Sequence, residues 1–221
     1  MTRTALVTGA SRGIGRAIAD RLQADGVAVL RPTRAELDLA DPASIDAYVA
    51  SLTVAVDILV NNAGINPLAS LDEMSDDDLR ETLEVDLVAP VRLARALAPI
   101  MAGQGWGRIV NIASIWSVVT KPRRFAYTVA KTGLVGATRA MAVELGPHGV
   151  LVNAAAPGFV MTDLTAVNNS PEELSAIAAG LPLRRMAEPA EIAELVVFLA
   201  SERNTFVTGQ VIVADGGFSC L

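Results

Sequence analysis

The sequence predicts a three-layer α/β domain, an open, doubly wound parallel sheet with helices on both faces. Three observations predict it. Apolar runs of strand length recur along the 221 residues, helical patterns fill most of the gaps between them, and a glycine-rich turn follows the first run directly. Strands that alternate with helices are joined by crossovers, so they run parallel and are buried on both faces. With 52% hydrophobic residues, the chain can build one well-buried domain but not two, and that domain is expected to span residues 1–221.

The expected strands are Ala5–Val7, Val27–Leu30, Ile58–Val60, Ile109–Ile112, Val150–Ala154 and Val211–Val213. Long helices are expected over Asp76–Met101 and Arg123–Leu145, the second ended by Gly146, Pro147 and Gly149. A third, Glu188–Ala200, carries Pro in its first turn and apolar residues at helical spacing. The stretch Leu30–Asp41, "LRPTRAELDLAD", breaks the pattern. A parallel crossover takes about a dozen residues or more, and only Arg31–Ala35 separate Leu30 from the next strand-like run at Glu36–Leu39. Around residues 31–41 the crossover helix is therefore expected to be missing, and the edge strand shortened or absent.

The net charge of -6 and the absence of a basic run argue against a nucleic-acid partner. No apolar run approaches the roughly 18 residues of a membrane span and no targeting segment is visible, so no membrane partner is expected and the cytoplasm is the expected compartment. One cysteine, Cys220, and one histidine, His148, exclude an intramolecular disulfide and argue against a Cys/His metal site; no metal is expected. Catalysis would rest on hydroxyls, carboxylates, lysine or a bound cofactor.

The turn "TGASRGIG" holds Gly9, Gly13 and Gly15 between a strand and a helix, where backbone N–H groups and the positive helix end can approach a pyrophosphate. Its spacing is G-x-x-x-G-x-G rather than G-x-G-x-x-G. A tight turn is the other reading of the glycines alone. Further on, "NIASIWSVVTKPRRFAYTVAKTGL" sets Ser114, Tyr127 and Lys131 among small and apolar residues. Tyr127 and Lys131 are four apart and share a helix face. A cation within about 4–6 Å favours a phenolate.

"TGASRGIG", "NNAG" (Asn61–Gly64), Ser114 ahead of "YTVAK", and "PGFVMT" (Pro157–Thr162) stand in the order and at the intervals of the short-chain dehydrogenase/reductase family, which the chain resembles over essentially its whole length. The tail "PLRRMAEPAEIAELVVFLASERNTFVTGQVIVADGG" is similar to the family's 3-oxoacyl-carrier-protein reductase and polyol dehydrogenase branches. The resemblance implies a Rossmann-type fold and hydride transfer between a nicotinamide and a ketone or secondary alcohol. Tyr127 would exchange a proton with the substrate oxygen, Lys131 would supply the cation and hold the nicotinamide ribose, and Ser114 would donate a hydrogen bond to the substrate oxygen.

Cofactor contacts are implied for Gly9, Ser11, Arg12, Gly13, Ile14 and Gly15 in the glycine turn and for Asp38 and Leu39 at the adenine. Asn62, Ala63 and Gly64 would lie beside the adenosine, and Pro157, Gly158, Val160 and Thr162 around the carboxamide. Residues 164–181 would form a substrate lid, and the two long helices a homotetramer or homodimer. One residue departs from the family. Where relatives carry "VNL", with an asparagine that kinks the helix and helps hold a water near the lysine, this chain has "VDL" and Asp86. An aspartate accepts hydrogen bonds but does not donate them, and when ionised it attracts the ammonium. The candidate catalytic set is therefore Ser114, Tyr127, Lys131 and Asp86.

NAD-linked relatives end the second strand with an acid that binds the ribose hydroxyls; here no acid appears before Glu36, while Arg31, Arg34 and Arg12 offer guanidinium forks suited to a phosphate. The expected cofactor is NADP(H), with NAD(H) the alternative, and the expected reaction is NADPH-dependent reduction of a small-molecule carbonyl. An NAD-linked polyol or sugar dehydrogenase is the runner-up. A non-catalytic nucleotide-sensing or scaffold protein is the reading from another class. Lys121, Arg123 and Arg124 fit either a carboxylate or phosphate site at the pocket mouth or solvated charge at a helix start. Trp116 fits either a pocket wall or a subunit contact. His148 falls in a helix-ending turn.

Overall fold

The computed structural model describes residues 2–162, 165 and 170–221. Six strands form one sheet: β1 (Thr4–Val7), β2 (Ala28–Leu30), β3 (Ile58–Asn61), β4 (Gly107–Ile112), β5 (Val150–Pro157) and β6 (Val211–Ala214). All pairings are parallel and the order is β2-β1-β3-β4-β5-β6. Among the described residues the main α-helices are α1 (Gly13–Ala24), α2 (Pro42–Ser51), α3 (Asp76–Leu83), α4 (Ala89–Gln104), α5 (Phe125–Leu145), α6 (Pro171–Gly180) and α7 (Pro189–Ala200).

Alternation along each strand divides the core between the two faces. Ala5, Val7, Ile58, Val60, Val110 and Ile112 pack with Ile18 and Leu22 of α1 and Ile192, Val196 and Ala200 of α7. Leu6, Leu59, Ile109, Val150 and Val152 pack on the other face, with Ile45 of α2, Leu93, Leu97 and Met101 of α4 and Ala142 of α5. These are the three layers expected. No membrane-crossing helix, long and apolar enough, occurs among the described residues.

Residues 31–41 form neither strand nor helix, so β2 is the edge, as the short spacing predicts. Leu37 and Leu39 nonetheless turn inward and join the core cluster of Leu6 and Ile45, which pins this abbreviated segment to the edge of the sheet. Asp41 then caps α2 by accepting from the Ala43 N–H.

The Asp76–Met101 pattern is one helical rod with an interruption. Ser75 caps α3, and Glu84–Val88 make a π-helical turn before α4, which continues to Gln104 and stops at Gly105 in the left-handed region. The extra residue in that turn carries Asp86 into the interior, where it is fully buried. Helix α5 starts two residues later than the pattern suggests, because Arg123 has φ of 66° and cannot belong to the helix. Of the expected lid, residues 164 and 166–169 lie outside the described residues; the remainder includes α6, held by a capping box between Ser170 and Glu173.

Candidate active site

The chain leaves β1 for the β2 edge and later crosses to the other side at β3, so the strand order reverses between β1 and β3. Open parallel sheets bind ligands in the crevice at that reversal, beyond the carboxyl ends of the strands. A cavity lies there, lined by Thr8, Gly9 and Ser11 from the first turn, Pro32, Thr33, Arg34, Leu37, Asp38 and Leu39 from the abbreviated edge, and Ala63, Gly64 and Ile65 after β3.

The glycine turn is shaped by close approach. Gly9 (φ 65°) and Gly13 (φ 56°) are left-handed, and a Cβ on Gly15 would stand 2.4 Å from the Gly9 carbonyl oxygen and 2.3 Å from Asn62 Nδ2. Asn62 fixes this arrangement by donating from Nδ2 to the carbonyls of Thr8 (2.9 Å) and Gly9 (3.2 Å). Thr8, which the sequence reading passes over, ties the two turns together: its hydroxyl oxygen accepts from the N–H groups of Asn62 and Ala63, each at 3.0 Å. Unlike α2, α3 and α6, helix α1 has no side-chain cap, and unlike α3 and α6 it has no acid in its first turn. Its first N–H groups and its positive end are therefore available to an anion. A glycine cradle, an uncapped helix start and an apolar slot beyond it fit a dinucleotide.

The cavity gathers Gly9, Ser11, Arg34, Asp38, Leu39, Ala63 and Gly64 from the expected cofactor set. Thr162 approaches the same turn, its Cγ2 3.5 Å from where a Gly13 Cβ would be. Pro157 ends β5, Gly158 is pressed against the Asp215 backbone, and Val160 bridges to Ala187. Ile14 packs against the core and Arg12 is the exposed N-cap residue of α1. Arg31 does not line the cavity. It donates to Asp20 (2.5 Å) and Gln23 (2.8 Å) of α1, which leaves Arg34 as the guanidinium on the slot, 75% exposed and paired at 3.4 Å with Asp38.

The second half of the site grows from β4 and α5. Ser114 follows β4 and caps a short 3₁₀ turn, its oxygen accepting from the Trp116 N–H at 3.3 Å, which leaves the hydroxyl proton for another acceptor. Tyr127 and Lys131 stand one turn apart on α5, with the Lys131 ammonium 5.5 Å from the Tyr127 ring centre. Lys131 is buried and donates to the Ile112 carbonyl at 3.0 Å. Asp86 Oδ2 faces the same ammonium at 3.2 Å, and its Oδ1 accepts from the Ile65 N–H at 2.8 Å. The carboxylate thus joins the lysine to the loop that lines the cavity.

Burial raises the Asp86 carboxyl above its ordinary value, with the Lys131 ammonium and the Ile65 N–H pulling the other way. Burial opposes the charge on Lys131 as well, but the Asp86 carboxylate and Tyr127 outweigh it and hold the lysine above its ordinary value. At neutral pH the ammonium therefore persists in a water-poor pocket.

Beside Ser114 the structure adds a feature absent from the sequence reading. Trp116 meets Phe159 (5.9 Å) and Phe218 (6.2 Å) edge to face, and Phe159 meets Phe218 at 5.4 Å. Trp116 is a wall of this cluster, 8% exposed.

A cradle for a dinucleotide at the sheet's switch point, a serine after β4, and a tyrosine–lysine pair on α5 tied to the cavity lining through Asp86 and Ile65 are the features of a nicotinamide-dependent oxidoreductase of the short-chain type. Comparison with known proteins agrees. The family model described as enoyl-(acyl carrier protein) reductase matches residues 30–219. The 3-oxoacyl-[acyl-carrier-protein] reductase of Vibrio cholerae serotype O1 is 36% identical over 97% of this chain and 96% of its own. A solved structure described as a short chain dehydrogenase/reductase family protein superposes with a TM-score of 0.91 at 36% identity, covering 98% of this chain and 97% of that one. A gluconate 5-dehydrogenase from Burkholderia cenocepacia, in complex with NADP and tartrate, gives 0.88 at 29% identity over 99% and 96% of the two chains. The chain belongs to the short-chain dehydrogenase/reductase family. It is an NAD(P)-dependent oxidoreductase of carbonyl compounds.

Proposed function

We propose that this protein reduces a ketone with NADPH, or runs the reverse oxidation, through Ser114, Tyr127 and Lys131. The observation that supports the reading is the Tyr127–Lys131 pair on α5, with the ammonium 5.5 Å from the ring centre, donating to the Ile112 carbonyl two residues before Ser114 and tied through Asp86 to Ile65 of the cavity lining. When bound, the nicotinamide supplies or accepts the hydride. Ser114 donates its free hydroxyl proton to the substrate oxygen and holds it where negative charge develops. Tyr127 gives that oxygen a proton in reduction and removes it in oxidation. Lys131 keeps a positive charge one turn away and would hold the nicotinamide ribose. Gly9, Ser11 and the start of α1 would hold the pyrophosphate; Ala63 and Gly64 would flank the adenosine, with Asp38 and Leu39 at the adenine. Pro157, Gly158, Val160 and Thr162 would enclose the carboxamide. Turnover of a carbonyl and alcohol panel with both nicotinamide cofactors tests the reading, and a chain that binds cofactor but transforms no member of the panel refutes it.

The preference for NADP(H) rests on Arg34, because Arg31 is committed to α1. A charge-assisted hydrogen bond to a phosphate contributes about 1.5–3 kcal/mol, so Arg34→Ala is expected to weaken NADPH binding by roughly tenfold or more and to leave NADH nearly unchanged. Titration of both cofactors checks this; equal losses would return the assignment to NAD(H).

Support for assembly comes from the outer face of α5. Phe125, Val129 and Val143 share one side of that helix and are exposed, Val143 by 78%. An apolar stripe of this kind suits a subunit contact, and the proposed state is a homodimer or homotetramer. Val143→Glu is expected to shift the species seen by light scattering toward the monomer, and an unchanged mass would move the interface elsewhere.

A further inference from the structure

The basic residues before Tyr127 separate into two kinds. Arg123 is spent on structure: it donates to Glu73 (3.0 Å) and to the Leu68 carbonyl (3.0 Å), and its left-handed backbone turns the chain into α5. Lys121 and Arg124 face the other way, over the Trp116 ring, with their cationic groups 5.4 and 5.9 Å from its centre. Among the described residues neither has an acidic partner, and the Nε of Arg124 is buried with no hydrogen-bond acceptor. Burial lowers both groups below their ordinary values; Arg124 depresses Lys121 further, and Tyr127 is the one group that draws Arg124 back up. Two like charges held together on an aromatic wall, partly out of water and without a counter-ion, form an incomplete site.

We propose that Lys121 and Arg124 bind a carboxylate of the substrate, so that the carbonyl compound reduced here is an oxo acid. The proposal deepens the catalytic reading above and rests on it. Ser114 and Trp116 share one short turn, and Arg124 lies one helical turn before Tyr127. An anion over Trp116 is therefore tethered on the same elements that hold the reacting oxygen, and anchoring it fixes the carbonyl against Ser114 and Tyr127. A guanidinium fork matches the two oxygens of a carboxylate. Beside the partly buried wall of Trp116, Phe159 and Phe218, a singly charged carboxylate costs less to desolvate than a phosphate dianion.

The test compares kcat/KM for 3-, 4- and 5-oxo acids with that for the methyl ester of each. For at least one pair the acid is expected to be preferred by tenfold or more, and Arg124→Gln and Lys121→Gln are each expected to reduce that acid-to-ester ratio by about tenfold. An ester turned over as well as its acid, or a ratio unmoved in both variants, overturns the proposal while leaving the catalytic reading intact. If neither acids nor esters turn over, the catalytic reading fails, and calorimetric titration of the same acids into the NADPH-loaded protein decides the anion site separately. Binding weakened by about tenfold in both variants upholds it; equal binding, or none, overturns it.

Discussion

Tyr127→Phe is expected to lower turnover by 10² to 10⁴-fold, roughly the range that a general acid or base contributes, while cofactor affinity changes little. The ring, which stands 5.5 Å from the Lys131 ammonium, remains, and only the atom proposed to carry the proton is removed. Neither Ser114, whose proton serves as a hydrogen-bond donor, nor Lys131, whose ammonium is held by Ile112 and Asp86, is placed to take over proton transfer. Single-turnover rates with saturating cofactor measure the effect. A variant retaining more than about a tenth of the wild-type rate would remove Tyr127 from the chemistry.

The second large effect concerns Asp86. Asp86→Ala leaves the buried Lys131 ammonium with the Ile112 carbonyl as its remaining partner and frees the Ile65 N–H. Removing one member of a buried ion pair costs about 3–5 kcal/mol, so this variant is expected to lose about that much stability in chemical denaturation. Asp86→Asn is milder. Its carbonyl can still accept from Ile65, and its volume is unchanged, but it no longer balances the ammonium. Lys131 then acts on the active-site hydroxyls without a counter-charge, and the pH–rate profile for alcohol oxidation is expected to move to lower pH with activity retained.

Stability follows a separate rule. The folded Asp86 carboxyl lies above its ordinary 3.8, so the stability it contributes is fully present below that value and is lost as pH rises through the raised one. Asp86→Asn should abolish this decline. An unshifted rate profile, together with a large loss of activity at every pH, would show instead that the carboxylate itself takes part in the reaction.

Much of this was legible in the sequence because it depends on local rules. Strand-length runs, the glycine turn and the missing crossover between Leu30 and Asp41 translate directly into strand order and edge. Asp86 announced itself by departing from a pattern. The π turn that buries it did not, since one extra residue inside a long helix scarcely disturbs the apolar spacing. Helix α2 is likewise hidden in the sequence: it buries one large residue, Ile45, and so carries almost no periodic signal beyond its Asp41–Pro42 start. Arg31 looked like a phosphate ligand because its competitors, Asp20 and Gln23, sit on α1 and reach it only once β2 has returned beside β1. The aromatic wall joins Trp116, Phe159 and Phe218 from three distant segments, a contact that no window of sequence contains.

The most direct measurement is transfer of deuterium from C4-deuterated NADPH and NADH to the carbinol carbon of the product, followed by mass spectrometry across a panel of ketones and oxo acids. Wild-type protein is expected to deliver deuterium to that carbon, faster from NADPH, and Tyr127→Phe to deliver almost none while still binding cofactor. A wild-type protein that binds the cofactor yet labels no carbonyl in the panel, or a Tyr127→Phe variant that labels as fast as wild type, would contradict the account.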